Sequence, residues 1–197
     1  MIYNEHTELA LSTIFAKVCE IGNPDRKTVK DVADFMLKAS SLHHNSPIYA
    51  DIYENKIEFD KGKKRYVPTK IDKLFFDFDH EKQSVVESDI NLVIERLKER
   101  GIPEKDMIKV WTTGKGDHLY CRLKPLINPT KEEVMEYQRK MKAIQFAVSQ
   151  CYCNDKPHLL HSVDTKVFAE FSRIARVPGI QRFDNKMFPT VVHLTKP

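Results

Sequence analysis

A chain of 197 residues, 41% of them hydrophobic, is long enough to bury a real core, and its 32 Lys+Arg against 28 Asp+Glu permit contact with nucleic acid without demanding it. No apolar run approaches the roughly 20 residues of a membrane span, and the start MIYNEHTEL lacks the basic-then-apolar order of a secretory signal, so a cytoplasmic location with no membrane partner is expected. Cys19, Cys121, Cys151 and Cys153 are too few and too unevenly placed for a disulfide framework, which fits a reducing compartment.

Taken in chain order, apolar residues recur at helical spacing in Leu9, Ile14, Phe15 and Val18, and again in Val29, Val32, Ala33, Phe35 and Met36, predicting two opening helices. Between Pro47 and Pro68 the text alternates and is broken at Glu54-Asn55 and Lys61-Gly62, which predicts a small antiparallel meander. These first 70 residues are expected to form an N-terminal module, with residues 71–197 forming a second, and the two together one compact unit. In the second, Lys73–Asp79 reads as a strand, Val86–Arg100 as an amphipathic helix stopped by Gly101, and Met107–Thr113 and His118–Leu123 as two further strands. Thr130, with Glu133 completing a capping box, opens a long helix to about Ser149, and a short apolar piece follows around Leu159–Val163. The fold class expected is α+β: a ferredoxin-like β-α-β-β-α-β sheet packed with a helix-plus-meander module, with the active cleft between them.

The chemistry gathers on three segments. In Leu74-Phe75-Phe76-Asp77-Phe78-Asp79, strand periodicity sends Leu74, Phe76 and Phe78 to one face and Phe75, Asp77 and Asp79 to the other. Two carboxylates about 7 Å apart at the backbone repel unless a cation sits between them, and hard oxygen ligands suit Mg²⁺ or Mn²⁺. A bare Asp-x-Asp also occurs at solvated strand ends. On the third strand His118, Tyr120 and Arg122 share a face, and an antiparallel neighbour would bring His118 to Asp77 and Asp79. The preceding Thr112-Thr113-Gly114-Lys115-Gly116 offers backbone N–H groups and a lysine to phosphate, or is an ordinary hairpin turn. Ser162-Val163-Asp164 then leads to Arg173 and Arg176; if a short helix precedes Pro178, the two arginines share a face, either gripping phosphate or simply meeting solvent. Tyr120 and Phe75 could stack on a base or sugar, or pack under a loop.

This ordered set resembles the archaeo-eukaryotic primase superfamily over roughly residues 71–182. Asp77 and Asp79 match its first motif, Gly116-Asp117-His118 the second, Val163-Asp164 the third, and Arg176-Val177-Pro178-Gly179 looks like the basic-x-Pro segment that follows. The resemblance implies that Asp77, Asp79 and Asp164 hold two Mg²⁺ or Mn²⁺ ions, and that His118 with nearby basic groups binds the incoming triphosphate. Lys115, Gly116, Arg173, Arg176 and Arg182 are the candidates for that role. Gly116 stands where serine is common, and Gln181-Arg182 where many members have another histidine. The activity implied is template-directed joining of nucleoside triphosphates on a DNA template and primer, with either NTP or dNTP, alongside a large primase subunit or a helicase. A metal-dependent nuclease and a non-catalytic accessory primase subunit are the competing functions. Cys151-x-Cys153-x4-His158-x2-His161 is a candidate structural Zn²⁺ site, since some relatives carry a zinc insertion there, or else a set of ordinary buried and surface residues.

Overall fold

The computed structural model describes residues 14–15, 19–21, 27–31, 33–35, 37–38, 49–112, 116–153, 156–178 and 190–193. The chain is α+β, with antiparallel sheets, and divides into two compact units. One comprises residues 1–72, 125–129 and 171–191; the other comprises 73–124, 130–170 and 192–197. No helix among the described residues is long and apolar enough to cross a membrane.

In the first unit, β1 (Cys19–Ile21), β2 (Lys27–Val29), β3 (Tyr49–Asp51) and β10 (Ile174–Arg176) form an antiparallel sheet in the order β10-β3-β1-β2. Helical spacing predicts a second opening helix from Val29, but Val29 closes β2, and helical backbone begins only after Asp31. The reason is local: Asp31 Oδ1 accepts from Asp34 N at 2.8 Å while Asp34 Oδ2 accepts from Lys30 N at 3.0 Å, a reciprocal cap that fixes the start. Most of the first expected helix lies outside the described residues; Ile14 and Phe15, which are described, form a turn and are buried. In the same unit Tyr53 and Phe171 meet edge to face at 5.2 Å, and Asn55 Nδ2 donates to the carbonyls of both, at 3.0 and 2.9 Å.

The expected meander is only half present. β4 (Glu54–Asp60) and β5 (Lys63–Asp79) pair as a long hairpin turning at Lys61-Gly62, both with positive φ, the backbone a two-residue hairpin requires. β3 does not extend it, because its pairing partners are β1 and β10.

β5 continues into the second unit, where it neighbours β7 (Gly116–Ile127), which in turn pairs with β6 (Met107–Trp111). α1 (Gln83–Glu99) buries Val86, Ile90, Val93 and Leu97, and α2 (Lys131–Ser149) buries Met141 and Val148. Leu74, Phe76 and Phe78 of β5 are fully buried, with Phe76 edge-on to Phe168 at 5.8 Å. Gly101, at φ 82°, ends α1 by letting its N–H reach Lys98 O at 2.9 Å. The capping box of α2 has Thr130 Oγ1 accepting from Glu133 N at 3.2 Å and Glu133 Oε2 accepting from Thr130 N at 2.7 Å. Arg96 donates to Val148 O at 2.8 Å and also to Gln150 O, placing a cation on the carbonyl end of α2.

The fourth strand of a ferredoxin-like sheet is not formed around Leu159–Val163. Instead β8 (Gln150–Cys153) and β9 (Lys156–Leu159) pair with each other, leaving two residues for their turn, and Val163 makes a one-residue antiparallel bridge to Phe78. In the sequence, Asn154-Asp155, residue types favoured in turns, stands between the two runs.

Candidate functional site

The bridge at Val163 is short but decides the site. Asp79 N donates to Ser162 O at 2.7 Å, and Asp164 N donates to Asp77 O at 2.9 Å. Asp77 and Asp164 are therefore directly opposed on adjacent backbones, about 5.5 Å apart at Cα by the geometry of such a pair, with side chains on the same face. Ser162 is fixed for this purpose: its N–H and hydroxyl both donate to buried Asp89 Oδ2 on α1, at 3.0 and 2.7 Å. Asp164 neither closes a strand nor lies at the far end of the sheet. It caps the 3-10 turn Thr165–Val167, its Oδ1 accepting from Lys166 N at 2.9 Å.

β7 meets β5 from the other side. Gly116 opens β7 against the end of β5, so closely that a Cβ there would lie 2.0 Å from Phe78 O. Only glycine tolerates that approach, so the residue type follows from backbone packing. Two residues on, His118 Nε2 stands 3.6 Å from Asp77 Oδ1, and its Nδ1 is 3.2 Å from Tyr120 Oη. A carboxylate only accepts, so the tautomer with the proton on Nε2, and Tyr120 donating to Nδ1, suits both neighbours. Phe75 fills the space beneath, 5.3 Å from the imidazole and 5.0 Å from the Tyr120 ring. Tyr120 and Phe75 are themselves buried, so they support the imidazole and are not open stacking platforms for a base or sugar.

Asp117 is, by the resemblance, only the middle residue of its motif, yet in the fold it is the fully buried carboxylate of the segment. Lys109 Nζ lies 3.1 Å from Asp117 Oδ2, and Gln83 Nε2 at the start of α1 donates to the same oxygen at 3.4 Å. This pair, with Gln83, ties β6, β7 and α1 together immediately beside His118; removing Lys109 would leave the Asp117 charge buried and uncompensated. Nothing in the alternation signals it, because an Asp at an apolar-face position needs a partner from another strand.

The other expected residues are placed as follows. Lys115 and Arg182 lie outside the described residues. Arg173 and Arg176 do not share a helix face, since residues 174–176 are strand β10, paired with β3, and Arg173 O accepts from Ile52 N at 3.2 Å. Pro178 disfavours helical backbone before it, and Ile174 and Val177 favour an extended chain. Cys151 and His158 are cross-strand partners in the β8–β9 hairpin, Cys151 Sγ donates to Leu159 O at 3.6 Å, and His158 and His161 are exposed. The Cys153 side chain is outside the described residues. Among the described residues no three His, Cys, Asp or Glu side chains converge as they would around a metal ion, either there or at Asp77, Asp79 and Asp164. The aspartates share neighbouring backbone, but Asp164 is turned to its own cap.

No protein-family model and no curated protein sequence matches the chain. Among solved structures it is similar to the polymerase domain of Mycobacterium tuberculosis Ligase D in complex with DNA, with a TM-score of 0.55 and 13% identity. The match covers 90% of this chain and 63% of that one, and at this identity it establishes a shared fold.

Proposed function

We propose that this chain is a nucleotidyltransferase of the primase-polymerase type, extending a nucleic-acid strand from nucleoside triphosphates under the direction of a DNA template. The observation that supports the reading is the backbone pairing of Asp164 with Asp77, which sets a distant segment beside the strand that carries Asp77 and Asp79, with His118 Nε2 3.6 Å from Asp77 Oδ1, on a fold shared with a polymerase domain.

Three carboxylates on adjacent backbone repel one another, and their hard oxygen atoms match Mg²⁺ or Mn²⁺, so the donor set fits such ions. Asp77, Asp79 and Asp164 would hold them, Asp164 by turning from its cap. Bound there, divalent ions lower the pKa of an attacking hydroxyl and offset charge on the leaving oxygen. In the reaction, the 3′ oxygen of the primer forms a bond to the α-phosphorus while the bond to pyrophosphate breaks, and the hydroxyl proton is released. His118, oriented through Nδ1 by Tyr120, would turn its Nε2–H from Asp77 to a phosphate oxygen of the incoming nucleotide. Gly116 keeps that strand end against β5. Lys115, Arg173, Arg176 and Arg182 are assigned to the triphosphate, where cations offset charge that grows as pyrophosphate departs. A large primase subunit or helicase is the proposed protein partner.

Primer extension and de novo synthesis with Mg²⁺ or Mn²⁺, comparing wild type with Asp77→Ala plus Asp79→Ala, tests this. Incorporation by wild type and a loss of about a thousandfold or more in the variant are expected, given what preorganised charge contributes at such centres. Equal incorporation by the two proteins overturns the assignment, and degradation of the primer by wild type would make it a nuclease.

A further inference from the structure

The β4–β5 hairpin presents two faces of opposite character. Its register pairs Asp60 with Lys63, Glu58 with Arg65 and Lys56 with Val67 on one face, and Phe59 with Lys64, Ile57 with Tyr66 and Asn55 with Pro68 on the other. The first face sets two acids, Glu58 and Asp60, among three bases, Lys56, Lys63 and Arg65. Lys56 Nζ lies 2.8 Å from Glu58 Oε1, and that bond, aided by the Arg65 charge, holds the Glu58 carboxyl below the usual range. The second face carries no acid, and its large apolar groups meet solvent: Phe59 is 73% exposed and Ile57 38%. Its cation, Lys64, has Nζ 5.0 Å from the centroid of the Tyr66 ring. The tip adds Lys61 and Lys63, so Asp60 stands against Lys61, Lys63, Lys64 and Arg65.

An exposed Phe on an edge strand is an aggregation hazard unless something covers it. The charge around it selects the occupant. A hydrophobic protein partner would gain nothing from the cations at the tip, whereas a polyanion whose units also have π faces would use both the cations and the ring.

We propose that the Phe59-Lys64 face of the β4–β5 hairpin binds single-stranded nucleic acid, with Phe59 stacking on a base and Lys64, together with Lys61 at the turn, meeting phosphates. The inference deepens the nucleotidyl-transfer reading and rests on it for the identity of the substrate: this face would hold strand outside the chemical step. The strand that leaves the hairpin is the one that carries Asp77 and Asp79.

The test is fluorescence anisotropy of a labelled oligothymidylate titrated with the full chain, as wild type, Phe59→Ala, Lys61→Ala plus Lys64→Ala, and the opposite-face control Glu58→Gln. Phe59→Ala should weaken binding about tenfold, within the range known for base–aromatic stacking. The double lysine variant should weaken it and reduce the salt slope by about 0.7 for each phosphate it no longer neutralises. Glu58→Gln should bind like wild type, and thermal melts should show all four proteins folded alike. Wild-type affinity in Phe59→Ala and the lysine variant, or no binding by wild type, overturns the proposal. So does a concentration-dependent dimer in sedimentation that Phe59→Ala abolishes, which would give the face to a second copy of the chain. Primer extension by the same wild-type protein stands apart from these outcomes: Asp77-dependent incorporation with an indifferent hairpin leaves the catalytic reading in place, and oligonucleotide binding without incorporation does the reverse.

Discussion

Strand β5 joins two kinds of structure within 17 residues. Up to Asp72 it runs from Lys63, Lys64 and Arg65, open to water, through half-buried Tyr66, Val67, Thr69 and Lys70, with only Pro68 and Ile71 buried. From Lys73 to Asp79 it is buried on the helix-covered face at Leu74, Phe76 and Phe78, and on the opposite face at Phe75. Ladder hydrogen bonds run through both halves, so the backbone does not distinguish them. What differs is apolar area removed from water, worth about 25 cal/mol per Å². The buried half can hold carboxylates at a fixed separation because its own position is over-determined; the open half has side chains to spare for a partner.

Substitutions should divide along the same line, and the largest effect is expected in the core. Phe76→Ala should lose about 3–5 kcal/mol in urea unfolding, whereas Phe59→Ala should stay within about 0.5 kcal/mol; similar losses would erase the distinction between the halves. Gly116→Ser drives a side chain into Phe78 O where the buried half ends, and should cost about 1–3 kcal/mol with a disproportionate fall in nucleotide incorporation. Unfolding and extension assays on the same preparation check both parts. Thr130→Ala removes the cap of α2, the helix whose Gln145 Nε2 donates to Phe75 O at 2.7 Å, and should cost about 1 kcal/mol by the same unfolding measurement. Tyr120→Phe should change stability least, by about 1 kcal/mol or less, while the imidazole ¹⁵N shifts of His118 show a loss of the single tautomer.

Much of the buried half is legible in sequence because it obeys local rules. Alternation in Leu74–Asp79 places the aspartates, Gly101 stops α1, and Thr130 with Glu133 starts α2. What escapes depends on partners far along the chain. Residues 174–176 have extended-chain neighbours in Val177 and Pro178, but it is β3, far back in sequence, that pairs with them as a strand. Asp117 is buried because Lys109 comes from the next strand. Phe75 and Tyr120 share the polar face in sequence, yet each covers the other around His118. The short hairpin of β8 and β9 takes the place of a sheet strand because a turn can close locally before a distant edge is found.

The pairing of Asp164 with Asp77 has its most direct test in Mn²⁺ binding, followed by electron paramagnetic resonance on the wild-type protein and on Asp164→Asn in the presence of a non-hydrolysable nucleoside triphosphate. Saturable binding by wild type, weakened about tenfold or more when that carboxylate is removed, is the predicted result. Indistinguishable Mn²⁺ binding by the two proteins, or none by wild type, would contradict it.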